Sequence, residues 1–111
     1  MNISYQSIGQ VCATFMAYDT QAGQVVKMFS NDIVGPCQAG EDFIGVLLHQ
    51  RGNTATVQTD GFVEVPFSGS SPDAGWTSLC ADGNGGVKVG GERKYLVVTT
   101  NTATNMLTLK L

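Results

Sequence analysis

The sequence predicts an all-β domain, a small barrel or sandwich with glycine-rich loops and one long, bent central strand. Three observations carry this. First, 14 glycines cut the 111 residues into short pieces, whereas a helix needs a sustained run of period 3.6. Second, the longest run without Gly or Pro, Glu92–Leu111, is crowded with Val97, Val98, Thr99, Thr100, Thr102, Thr104 and Thr108. β-branched side chains lose rotamer freedom on a helix and fit a pleated surface. Third, the central block Phe43–Phe67 (FIGVLLHQRGNTATVQTDGFVEVPF) is densely apolar and alternates with period two.

Along the chain, Met1–Gly9 is an N-terminal arm or a first strand, with Ile3, Tyr5 and Ile8 as its hydrophobic grip. Residues 10–111 form the single domain. Gln10–Tyr18 alternates Val11, Ala13, Phe15 and Ala17 against polar partners and reads as a strand. Asp19–Gly23 is a turn, Gln24–Phe29 a short strand, Ile33–Val34 an extended piece, and Cys37–Asp42 a loop after the Gly35-Pro36 breaker. Phe43–Gln50 is apolar on both faces, with Val46 and Leu48 on one side and Phe43 and Leu47 on the other, so it is expected to be covered from both sides. Gly52-Asn53 supplies the positive φ of a hairpin turn.

Asp60-Gly61 suggests a second hairpin, but register argues against it. A two-residue turn there would pair Gln58 with Val63 and Val57 with Glu64, and directly opposed residues share a face. Read straight through, Val57, Thr59, Gly61, Val63, Val65 and Phe67 share one face. Thr56, Gln58, Asp60, Phe62, Glu64 and Pro66 share the other. One strand from Thr54 to Val65, bent at a Gly61 hinge, is therefore expected, long enough to serve two sheets or to wrap a barrel corner. Ser68–Glu92 holds seven of the 14 glycines and reads as turns around one strand, Trp76–Ala81, with Trp76 anchoring it to the core. Val87–Val89 is a short strand. Tyr95–Thr100 and Met106–Leu111 close the chain as a hairpin.

Charged residues make up 14% of the chain, against a usual ~25%. The six Lys/Arg are spread singly except for Arg93-Lys94, so nucleic-acid binding is not expected. No apolar run reaches the ~20 residues that span a membrane, and MNISYQSIGQ does not read as a signal peptide. The protein is expected to remain in the compartment where it is made.

Catalytic and metal motifs are lacking in the sequence. Cys12, Cys37, Cys80 and His49 would make a Cys3His zinc set, but no closely spaced ligand pair occurs, and free thiols packed as small hydrophobes are the simpler reading. Asp82-Gly-Asn84-Gly-Gly86 matches the start of a calcium loop, yet Arg93 stands where the closing glutamate belongs. A glycine-rich turn is the simpler reading there. His49 has no Ser or Cys at motif spacing. No cofactor is implied. The aromatic residues Phe15, Phe29, Phe43, Phe67, Trp76 and Tyr95 are expected in the core. Phe62 shares a face with polar residues and reads either as an exposed contact residue or as a ring buried at a barrel corner.

The central block resembles the head-decoration proteins of tailed phages. Gly45-Val46-Leu47, then Thr54-Ala55-Thr56-Val57, then Gly61-Phe62-Val63 and Pro66 carry the likeness. It is extended by Ala22-Gly23-Gln24-Val25-Val26 before and by Ala74-Gly75-Trp76 and Asp82–Val87 after, so it covers roughly residues 20 to 90. The resemblance implies a small β-barrel, non-enzymatic virion protein that binds the outer surface of a major capsid protein as a homo-oligomer, often a trimer, and stabilises the shell. It also implies an arm that orders on binding, although Met1–Gly9 is shorter than in long-armed members. Ile3, Tyr5, Phe62 and Trp76 are the expected partner contacts. The alternative reading is a small ligand- or carbohydrate-binding β-module with an exposed aromatic platform.

Overall fold

The computed structural model describes residues 10–111. Among these residues nine strands run in sequence: β1 (Val11–Ala17), β2 (Val25–Ser30), β3 (Ile33–Pro36), β4 (Gly45–Arg51), β5 (Thr54–Asp60), β6 (Phe62–Pro66), β7 (Gly75–Ala81), β8 (Val87–Asn101) and β9 (Met106–Lys110). The first five close into a barrel in the order β1-β3-β2-β4-β5. The last four form a second sheet in the order β6-β9-β8-β7. Neighbours pair antiparallel except β1 with β3.

Two cores result. Val26, Val34, Leu47, Ala55 and Val57 fill the barrel, with Phe15, Ala17 and Ile44 packed against them. Val25, Cys37, Phe43 and Val46 project from the barrel wall into a larger core. Its other members, among them Val65, Leu79, Tyr95, Val97, Leu107 and Leu109, lie on the second sheet or at its ends. Adjacent residues therefore enter different cores, as at Val25 and Val26 or Val46 and Leu47. Two-sided apolarity at the start of β4 and β2 follows, because their common wall separates the two interiors. Within the larger core the Phe43 and Tyr95 rings stack with centroids 4.8 Å apart, and the Tyr95 hydroxyl donates to the Phe43 carbonyl at 3.4 Å.

Of the two expected paths, serving two sheets or wrapping a barrel corner, the central block takes the first, but as two strands. β5 closes the barrel, β6 borders the second sheet, and Gly61 (φ +93°) turns the chain between them. Val57 lies in the barrel core, and Val63 and Val65 lie in the other. Four expectations are corrected. Leu48 is exposed, because a register shift between Leu47 and His49 carries the end of β4 away from cover. Val11 is likewise exposed. Val87–Val89 and Tyr95–Thr100 belong to one 15-residue strand, β8. Its pairing with β7 jumps from Val89 to Lys94, so Gly90 and Gly91 (φ +144° and +80°) lie in a bulge, not a loop between strands. Gln58, placed by alternation on a polar face, is buried at 2% exposure.

Candidate interaction surface

The face of the second sheet turned away from the core carries one continuous row. Register places Phe62 opposite Lys110, Lys110 opposite Leu96, and Leu96 opposite Trp76. Opposed residues share a face, so the four side chains cross all four strands. The next row, Val63–Leu109–Val97–Gly75, is turned inward, and its three side chains lie in the larger core. Phe62 and Leu96 are half-buried, and Lys110 is exposed. Trp76 is 69% exposed, so it does not anchor its segment to the core. β7 borders the sheet, and among the described residues no strand lies beyond it to cover the indole.

One end of the row is fixed by the hinge. The Lys110 ammonium lies 3.4 Å from Asp60 Oδ1. The same Asp60 oxygen accepts from the Gly61 N–H at 2.7 Å. That backbone bond first, and Lys110 second, hold the Asp60 carboxyl below its ordinary range. Beneath, the Gln58 amide donates to the Asp60 carbonyl at 3.0 Å and to the Phe62 carbonyl at 2.9 Å, spanning Gly61, and accepts from Gln10 at 3.3 Å. Gln58 escaped the sequence reading because alternation records polarity, not which backbone groups need a partner.

A second surface lies on the barrel. Tyr18 and Phe29, both exposed, stack with centroids 4.9 Å apart and planes 22° from parallel. Phe29 packs over Gly35, where an added Cβ would come within 3.2 Å of it. Phe29 thus departs from the expected core position. The pair opens a groove of about 610 Å³ bounded also by Lys27, Pro36, Gln38 and Asp82. Lys27 bonds both Glu41 oxygens at 2.8 and 2.7 Å, and the Gln38 N–H donates to Glu41 at 2.7 Å. The Lys27 bond first, and the Gln38 N–H second, lower the Glu41 carboxyl below its ordinary value. Burial, with Glu41 adding to it, pushes the Cys37 thiol up to about 11, so Cys37 is a neutral packing group.

The remaining candidates resolve individually. Cys37 and Cys80 are buried, whereas Cys12 is exposed on the outer side of β1. Among the described residues no group of three His, Cys, Asp or Glu could hold a metal ion. Asp82 accepts from the Asn84 and Gly86 N–H groups at 2.6 and 3.1 Å and from Ser68 Oγ at 2.9 Å. Its carboxylate closes the glycine turn. His49 is exposed on β4, opposite Thr56. The expected contacts Ile3 and Tyr5, with the whole arm Met1–Gly9, lie outside the described residues. The structure thus unites Phe62 and Trp76 in one row, and it adds Leu96 and Lys110, which the sequence reading passed over as ordinary strand residues. No protein-family model matches the chain, and no curated protein matches it.

Proposed function

We propose that the protein is a non-enzymatic structural component of a tailed-phage virion. It is made in the host cytoplasm, binds the outer surface of the major capsid protein as a homo-oligomer, a trimer in the terms of the resemblance, and stabilises the shell. The observation that supports this reading best is the row Trp76–Leu96–Lys110–Phe62, which carries aromatic and aliphatic area with one cation out to solvent. Aromatic side chains rimmed by polar groups suit a protein contact. The test is co-sedimentation with mature capsids. The wild-type chain is expected to pellet with the shells and raise their disruption temperature, and Trp76→Ser with Lys110→Glu to abolish both effects. A wild-type chain that stays in the supernatant at saturating concentration rejects the reading.

The stacked Tyr18–Phe29 pair supports a second reading, a carbohydrate-binding module, since paired rings beside Gln38 and Asp82 offer a stacking surface next to hydrogen-bonding groups. Glycan binding lost in Tyr18→Ala, with capsid binding absent, would favour it.

A further inference from the structure

We propose that a second copy of this chain pairs with β7 across a two-fold axis at Thr77, joining two four-stranded sheets into one. This goes beyond the capsid reading and stands on the strand geometry alone, since it specifies a pair where the resemblance implies a trimer.

The two borders of the second sheet differ. β6 carries Glu64, ends in Pro66, and has its Phe62 carbonyl occupied by the Gln58 amide. Charge, proline and occupied acceptors are the features that keep an edge from pairing. β7 (GWTSLCA) has neither charge nor proline. Beyond its ladder with β8, the backbone bonds of β7 within the described chain occur at one residue. The Ala81 N–H donates to the Glu41 carbonyl at 2.9 Å, and the Gly40 N–H donates to the Ala81 carbonyl at 2.8 Å.

Those two bonds set the geometry. They show that the backbone groups of Ala81 point away from β8. Alternate residues of a strand point the same way, so Leu79, Thr77 and Gly75 also present N–H and C=O outward. The free stretch is therefore Gly75–Leu79, since Ala81 is taken. In a two-fold antiparallel pair, opposed residues must share a face, so the axis lies at a residue and not between two. Centring it on Thr77 uses the whole free stretch: Thr77 meets Thr77, and Gly75 meets Leu79 of the second copy. An axis at Ser78 would need Ala81.

Side chains agree with this register. On the outer face Trp76 lies beside the second copy's Ser78. Ser78 is small, and Lys94 stands directly across from it on β8. The indole can cross Ser78 and come under the ammonium of Lys94, a cation–π contact made twice by symmetry. Trp76, the most exposed large apolar side chain of the described chain, is thereby covered, and Leu96, Lys110 and Phe62 are the part of its row left for the capsid.

Sedimentation equilibrium of the wild-type protein without capsids tests the idea, with a mass of twice 11.7 kDa expected. A monomer or a trimer at high micromolar concentration overturns it. Thr77→Pro removes an outward N–H that no bond among the described residues uses, and beyond that only the exposed hydroxyl bond to the Asp73 carbonyl, so it is expected to stay folded and become monomeric. A folded Thr77→Pro that remains dimeric overturns the proposal. Should that variant fail to fold, Thr77→Cys in a Cys12→Ser chain decides. Rapid formation of a disulfide-linked dimer under mild oxidation supports the axis, and its absence refutes it. Capsid co-sedimentation is scored separately. A chain that binds capsids but does not dimerise sinks this inference alone, and a dimer that ignores capsids sinks only the capsid reading.

Discussion

Gln58 illustrates how one side chain can hold a junction. Its amide spans Gly61 by donating to the carbonyls on either side. A Gln58→Leu chain keeps the volume but leaves both carbonyls without that donor, and a lost buried partner costs about 1–3 kcal/mol each. Urea unfolding is expected to show a loss of about 2–6 kcal/mol, and a loss below about 0.5 kcal/mol would mean that the carbonyls find water at no cost. Thiol chemistry separates the three cysteines. Iodoacetamide at pH 8 is expected to modify Cys12 alone in the native protein, read by peptide mass, because Cys37 and Cys80 are buried and Cys37 holds its proton up to about 11. Glu41 sets an acid limit. Its folded pKa lies below the ordinary 4.5, so the bond to Lys27 contributes fully above that value and fades as pH falls through the lower folded one. Stability of the wild type is expected to drop below about pH 4.5 more steeply than that of Glu41→Gln.

At the scale of elements, glycine decides where strands turn and how closely they lie. Gly61 takes φ +93° within a path that bends from one sheet to the next, and a β-branched residue there is strained by about 2–3 kcal/mol. Gly52, at φ +60° in an open turn, needs only the left-handed region, so Gly52→Ala costs about 1 kcal/mol. Gly61→Val is expected to lower the melting temperature further than Gly52→Ala, and equal shifts would show that the bend can relax. Gly45→Ala is disruptive for another reason: its Cβ would collide with the Gln58 carbonyl oxygen of the paired strand. Glycine also explains where the sequence was legible. Alternation across Val57 to Phe67 identified a path through Gly61 and excluded the hairpin at Asp60. The same reasoning split β8 at Gly90-Gly91, because glycine punctuation reads alike for a turn and for a bulge. Gly91 is there because a Cβ would lie 3.1 Å from that of Cys80, a contact between strands that no local pattern encodes. Trp76 and Phe29 were misplaced for a similar reason. Whether a large ring lies inside depends on what its neighbouring strand covers, and only the sheet order shows that.

For the molecule as a whole, the two cores share the wall made by β2 and β4. Val25 and Val26 enter different cores from one strand, so neither core can lose its packing while the other keeps its own. Val25→Ala and Val26→Ala are each expected to cost about 2 kcal/mol and to shift a single unfolding transition. Separate transitions in calorimetry for either variant would show that barrel and sheet melt independently.

The chain passes from barrel to sheet once, at Gly61, with every barrel strand before it and every strand of the second sheet after it. Synthesis on the ribosome therefore delivers the complete barrel first. Phe43 and Val46 then face outward, without the sheet that will cover them. At ~5–20 residues per second the remaining ~50 residues take roughly 3–10 s. For that interval the nascent chain exposes the apolar wall that the finished protein hides, and an early stop just after Pro66 would leave it exposed for good.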